Sequence, residues 1–370
     1  MRRIYLIVAA AIFALPLLAA NAALSRPQAV EAGAAYIRSA QQADGGYASA
    51  PGQTMDAIYA LRAAGYDPAK ETRGGTGPAD YLNANAAGAT TAGSAAKAAL
   101  AAKALGLDPK AVNGTNLVAA ISAGYKAETG AYADDDFSQS IAMIGLACTG
   151  NPVGAKAADT LRGKQVAKDG GWGFSGASDA DTTAIAIQAL LATGAPKTDA
   201  AVVKALGYLK ATQGNDGGWG FDPAASNASS TAYAVQALIA LGEDPAAASW
   251  AKGGATPIDY LLGQQNPDGS FKGFDPAYAT NQALPALAGR TFCNAVDTPI
   301  TRVAPTPAPT VTASPSPSPA ATATATPAPK PPASGNGAPP AGGDGARPAL
   351  VLLAVMALAG GATLALRGRG

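Results

Sequence analysis

The sequence predicts an all-α fold, an (α/α)6 toroid of six helical hairpins arranged as one ring inside another. Three observations carry this. A two-helix unit recurs six times between residues 27 and 300, at intervals of 40 to 52 residues. In each unit the first helix is amphipathic and the second is apolar nearly all round, as in residues 183–192 (TAIAIQALLA) and 231–240 (TAYAVQALIA). Each second helix also stops at a glycine: Gly65, Gly106, Gly150, Gly194, Gly242 and Gly289. A helix with no polar face must be covered on most sides, so the second helices form an inner ring within the amphipathic ones. An open helical solenoid is the alternative, and needs only a failure to close.

The units align on a helix position and a turn residue eleven further on: Tyr36 with Tyr47, Tyr81 with Ala92, Ile121 with Tyr132, Leu161 with Trp172, Tyr208 with Trp219, and Tyr260 with Phe271. The best-preserved stretch is 204–223, KALGYLKATQGNDGGWGFDP. There Val202, Leu206 and Leu209 form one helical stripe, Asn215-Asp216-Gly217-Gly218 ends the helix, and Trp219 and Phe221 need packing partners. The second unit is degenerate, with Gly88-Ala89-Thr90-Thr91 in place of the Asp-Gly-Gly turn. First helices carry start signals: Thr256-Pro257-Ile258-Asp259 places Thr at the N-cap, Pro at N1 and an acid at N3, and Gly77-Pro78-Ala79-Asp80 repeats most of that pattern.

Both ends of the 370-residue chain differ from the body. Residues 1–22 read as a signal peptide, with a basic start at Arg2-Arg3, an apolar run and the small-x-small site Ala20-Asn21-Ala22. The toroid occupies 23–300. Residues 301–347 are rich in Pro, Thr, Ser and Ala and read as a disordered, semi-rigid stalk. Residues 348–366 form an uncharged apolar run of transmembrane length, followed by a basic tail, 367–370, that favours the cytoplasm. The expected location is the outer face of the cell membrane, with the C-terminus cytoplasmic; a processed sorting tail is the alternative. Without the terminal arginines the exported part is slightly acidic and has no basic patch, which argues against nucleic acid as a partner. The chain has no histidine, so the usual Ser-His-Asp and Cys-His catalytic sets are absent.

Lys204-Ala205, Tyr208-Leu209, Gln213, Gly217 and Trp219 resemble the QW repeat of the squalene–hopene cyclases and of the wider prenyltransferase α/α-toroid superfamily. Gln41 and Gln265 hold the same position in their units, whereas the fourth unit has Val166 there with Gln165 adjacent. The resemblance implies that these glutamines tie helix ends together over the turn aromatics. Tyr47, Trp172, Trp219 and Phe271 are then structural and not ligand-stacking rings. The zinc-dependent prenyltransferases of the superfamily need an Asp, Cys and His set that this chain lacks, so neither metal nor cofactor is implied.

Asp179-Ala180-Asp181-Thr182-Thr183-Ala184 resembles the DxDDTA motif of class II terpene cyclases, whose middle aspartic acid protonates an alkene or epoxide. Asp181 falls on that position with Asp179 as supporting carboxylate, but Thr182 replaces the next acid. A bland account competes. Alignment on Gln188 and Gln236 sets Asp179 opposite Asn227 and Asp181 opposite Ser229, so both acids read as N-cap residues, and this account is preferred. Asp134-Asp135-Asp136, with Asp56, Asp222 and Asp275, are placed with them in the turns before inner helices, at one end of the ring. Cys148 and Cys293 lie at the other end, able to bond if the chain after Gly289 crosses it. The expectation is a non-catalytic module binding a small molecule, glycan or protein at one end; a cyclase-like enzyme using Asp181 is the alternative.

Overall fold

The computed structural model describes residues 24–48 and 50–302. The expected signal peptide, the stalk beyond Arg302 and the 348–366 span lie outside the described residues. Among the described residues no helix is long and apolar enough to cross a membrane.

Six outer helices, α1 (Arg26–Ser39), α3 (Pro78–Asn85), α5 (Leu117–Ala123), α7 (Ala157–Gly163), α9 (Ala200–Thr212) and α11 (Pro257–Gly263), alternate with six inner ones. The inner helices are α2 (Pro51–Ala63), α4 (Ala92–Ala104), α6 (Asp136–Cys148), α8 (Ala180–Ala192), α10 (Ala228–Leu241) and α12 (Pro276–Leu287). Each inner helix packs on the next and α12 returns to α2, so the ring closes and the solenoid alternative fails. The inner ring is tight because small residues face each other. At Gly145 of α6 an added Cβ would come within 2.5 Å of the Ala96 side chain on α4. The glycine that follows each inner helix takes positive φ, between 71° and 94° in all six units.

In the fourth, fifth and sixth units a glutamine amide clasps two carbonyls. Gln213 Nε2 donates to Gly217 O in its own turn (2.9 Å) and to Trp250 O of the next unit (2.8 Å). Gln265 Nε2 does the same with Gly269 O (3.0 Å) and Ala29 O (2.8 Å), which joins the sixth unit to the first. Gln41 Nε2 reaches Glu71 O at 3.0 Å. The offset in the fourth unit is absorbed by Gln165, whose amide donates to Gly170 O and Ala201 O, both at 2.8 Å. Beneath each clasp lies the turn aromatic, its backbone N–H held by a hydroxyl of the following inner helix: Tyr47 by Thr54, Trp172 by Thr183, Trp219 by Thr231 and Phe271 by Thr280. The indoles of Trp172 and Trp219 donate to Leu161 O and Leu209 O. These buried rings are core.

One feature departs from an all-α reading. Trp172–Phe174 (β1) and Ala177–Asp179 (β2) form an antiparallel hairpin, pairing Trp172 with Asp179 and Phe174 with Ala177. Ser175 and Gly176 turn it with φ of 53° and 81°, positive at both central positions as a tight two-residue hairpin requires.

The end of the ring where inner helices finish is closed by α13 (Phe292–Val296), which packs on α2, α4 and α6. Phe292 stacks on Tyr59 with ring centroids 5.1 Å apart, and its N–H donates to Gln188 Oε1. Cys148 and Cys293 form a disulfide across this end, with Cα atoms 4.7 Å apart. Thr301 and Arg302, assigned from sequence to the stalk, still pack on the ring: both N–H groups donate to Gly65 O, and Arg302 pairs with Glu31.

Candidate functional site

With one end plugged, the described residues leave the toroid open where the inner helices begin. Their caps sit around that opening. Asp135 accepts from Ser138 N (2.7 Å), Asp179 from Thr182 N (2.7 Å), Asn227 from Ser230 N (2.9 Å) and Asp275 from Ala277 N (2.9 Å). The acid triplet divides by task. Asp134 is exposed and pairs with Lys126, Asp135 is a cap, and Asp136 turns inward against Lys164 at 3.2 Å. Asp222 accepts from Ala224 N in an exposed turn.

Asp181 is not a cap. It is the second residue of α8, behind the cap Asp179, and its side chain enters the cavity at the mouth. N-capping therefore holds for Asp179 alone, because one residue fills that position in each helix. As a residue Asp181 is half-buried, yet its Oδ1 is fully covered and has no hydrogen-bond partner; the Ser230 hydroxyl lies beside the carboxyl. Burial pushes the Asp181 carboxyl up to about 6. Burial and then the charge of Asp181 push Asp179 up to about 7, against the hydrogen bonds it accepts from Thr182. Near neutral pH the pair resists carrying two negative charges.

The cavity has a volume of about 60 Å3 and is lined by Asp136, Phe137, Phe174, Asp181, Phe221 and Tyr278, among others. Over the β1–β2 turn it adjoins an open groove of about 450 Å3 along Asp134, Asp135, Asp136 and Phe174. Below the cavity the barrel axis is filled with paired polar groups. Lys97 Nζ meets Asp56 Oδ2 at 2.8 Å, both buried. The hydroxyls of Tyr233 and Tyr278 are 2.8 Å apart, and Tyr59 Oη donates to Gln236 Oε1 at 3.3 Å. Burial raises the Asp56 carboxyl despite Lys97, and raises both Tyr233 and Tyr278. Asp56 is thus a member of this buried set within α2, and its expected place in a turn is corrected.

Sequence reasoning brought Asp179, Asp181 and the acid triplet to one end, and the structure places them there. It left out Lys97, Phe137, Phe174 and Tyr278. Two signals pointed to some of them: a lysine in an alanine helix, and the Trp-Gly-Phe triplet at both 172–174 and 219–221, where the tryptophan is core and the phenylalanine reaches the mouth. Gln41, Tyr47, Trp172, Gln213, Trp219, Gln265 and Phe271 do not line the cavity. Among the described residues no three His, Cys, Asp or Glu side chains are grouped so as to hold a metal ion.

Residues 139–286, a range that includes Asp179 and Asp181, match the family model of the squalene-hopene cyclase C-terminal domain. The chain has the α/α-toroid fold of the prenyltransferase and squalene–hopene cyclase superfamily. Among solved structures it is similar to the type II terpene cyclase MstE from Scytonema in its apo form, at 15% identity over 72% of this chain and 98% of that one, with a TM-score of 0.55. A substituted form of MstE in complex with its substrate, geranylgeranyl dihydroxybenzoate, matches at 16% identity over 74% and 98%, TM-score 0.53. A protein from Actinoplanes matches at 15% over 72% and 99%, TM-score 0.53. At these identities the likeness concerns the fold. None of the curated proteins matches the chain.

Proposed function

We propose that this toroid is a non-catalytic binding module, tethered to the outer face of the membrane by residues 348–366, which takes its ligand in the cup at the open end. The observation that carries this is Asp181, which lines the cavity and has a covered oxygen, Oδ1, without a partner. A buried acceptor without a donor costs roughly 1–3 kcal/mol, a cost that a bound partner removes. The cup suits a small ligand or one arm of a longer one, since sites for drug-sized molecules occupy roughly 300–1,000 Å3. The test is native mass spectrometry of the protein isolated from its producing organism, as wild type and as Asp181→Asn. A stoichiometric added mass on the wild type, absent from the variant, is the expected result. An added mass of equal occupancy on both, or on neither, contradicts the assignment.

A protonating, cyclase-like enzyme is the second reading, favoured by one observation: Asp181 is a buried acid facing a cavity at the motif position of a proton donor. Against it, the axis that would hold an isoprenoid chain is occupied by Lys97, Asp56, Tyr233 and Tyr278. Incubation with geranylgeranyl dihydroxybenzoate, the substrate bound by the Scytonema cyclase, separates the readings. A cyclised product made by the wild type and lost in Asp181→Asn supports the enzyme; unchanged substrate with both proteins sinks it.

A further inference from the structure

Resting on the binding reading, we propose that the ligand is a linear aliphatic amine, whose terminal ammonium enters the cup to meet Asp181 while its chain runs out between phenylalanine rings into the acidic groove. Three features of the site select this chemistry. The first is charge. Among the residues lining the cup the cation is Lys97, and Asp56 already holds its ammonium at 2.8 Å. Asp136 faces the cup too, but Lys164 is 3.2 Å from it. Asp135 and Asp179 are engaged as helix caps. That leaves Asp181 with an oxygen, Oδ1, covered by protein and bonded to nothing in it. A covered carboxylate oxygen is satisfied by an N–H or O–H donor, and most strongly by a charged one.

The second is the wall. Phe137, Phe174 and Phe221 line the cup with the Tyr278 ring, and Phe174 remains 49% exposed. Phenyl faces attract organic cations more strongly once water is excluded, and they also cover methylene groups. An inorganic cation lacks the methylene surface that such a wall also covers.

The third is shape. A cavity of about 60 Å3 admits an ammonium and a few methylenes but not a ring system or a branched head group. Its continuation is the open groove of about 450 Å3 along Asp134, Asp135 and Asp136, net acidic although Lys164 also lines it, into which the far ammonium of a diamine extends. A narrow cup opening on a wider acidic trough fits an extended chain that carries charge at intervals.

The test uses a matched pair of probes on the full-length protein in detergent: 1,8-diaminooctane and 1,8-octanediol, which share a chain and differ in charge. Isothermal titration is expected to give one saturable diamine site per chain and no saturable site for the diol. Asp181→Asn is expected to weaken the diamine at least tenfold. Asp159→Asn, which removes an exposed carboxylate on α7, is expected to leave it unchanged. If diamine and diol bind alike and Asp181→Asn affects neither, the amine proposal is overturned while a cup for apolar chains stands. If neither probe saturates a protein that still melts cooperatively, the amine proposal falls, and native mass spectrometry decides separately whether the cup binds anything. Equal weakening by Asp159→Asn and Asp181→Asn marks the binding as diffuse attraction to acidic surface and also overturns the proposal.

Discussion

Asp179 and Asp181 are separated by one alanine and have different roles. The first closes the start of α8 by accepting two hydrogen bonds from Thr182; the second lines the cavity and has an oxygen without a partner. Both carboxyls titrate above the ordinary aspartate value of 3.8, Asp181 at about 6 and Asp179 at about 7. The native state therefore keeps protons that the unfolded chain has already released between about pH 4 and pH 7, and stability falls as pH rises through that window. Asp181→Asn removes its share. The variant is expected to gain on wild type by about 3 kcal/mol from pH 4 to pH 8, the size of an upward shift of about two pH units. Parallel pH–stability curves for the two proteins in urea would contradict this. The register of these residues was legible in sequence, since aligning Gln188 with Gln236 pairs Asp179 with the cap Asn227. Which acid caps was not, because the same short polar residues serve at the cap and in the first turn. Only the fold shows that Asp181 faces inward.

At the level of elements, the clasp makes neighbouring hairpins depend on one another. Gln213→Ala deletes donors to two carbonyls from different units and is expected to cost about 2–4 kcal/mol by urea unfolding, the sum of two buried acceptors left unpaired. Trp219→Ala removes a fully buried indole and is expected to cost about 3–5 kcal/mol. A loss below about 0.5 kcal/mol for either would mean that the turn repacks without it. The clasp could be read from sequence because it recurs at a fixed distance from a helix stripe. The β1–β2 hairpin could not: its strands are three residues long, too short to display alternation, and its existence depends on backbone angles at Ser175 and Gly176. The offset of Gln165 shows the tolerance of the device. A side chain one position early still reaches both carbonyls.

For the whole molecule, closure has two levels: α12 meets α2 around the ring, and α13 with its disulfide seals one end. The cysteines are 145 residues apart in sequence. Cys293→Ser is therefore expected to destabilise the protein by up to about 5 kcal/mol, since the bond closes a long loop in the unfolded chain. Unfolding curves that coincide for the variant and the wild type would show that α13 does not depend on the bond. Ring number and layer order were legible because they follow from periodicity and from apolar helices that need cover. The filling of the barrel was not, because Tyr59 and Gln236 lie in the first and fifth units and only ring closure brings them together. That filling confines ligand chemistry to the cup at the open end. A crystal structure of the protein purified from its producing organism tests the cup most directly. Density for a bound molecule in the cup is expected, with a donor atom at hydrogen-bond distance from the Asp181 carboxyl. A cup closed by its own phenylalanines, with Asp181 bonded within the protein, would contradict it.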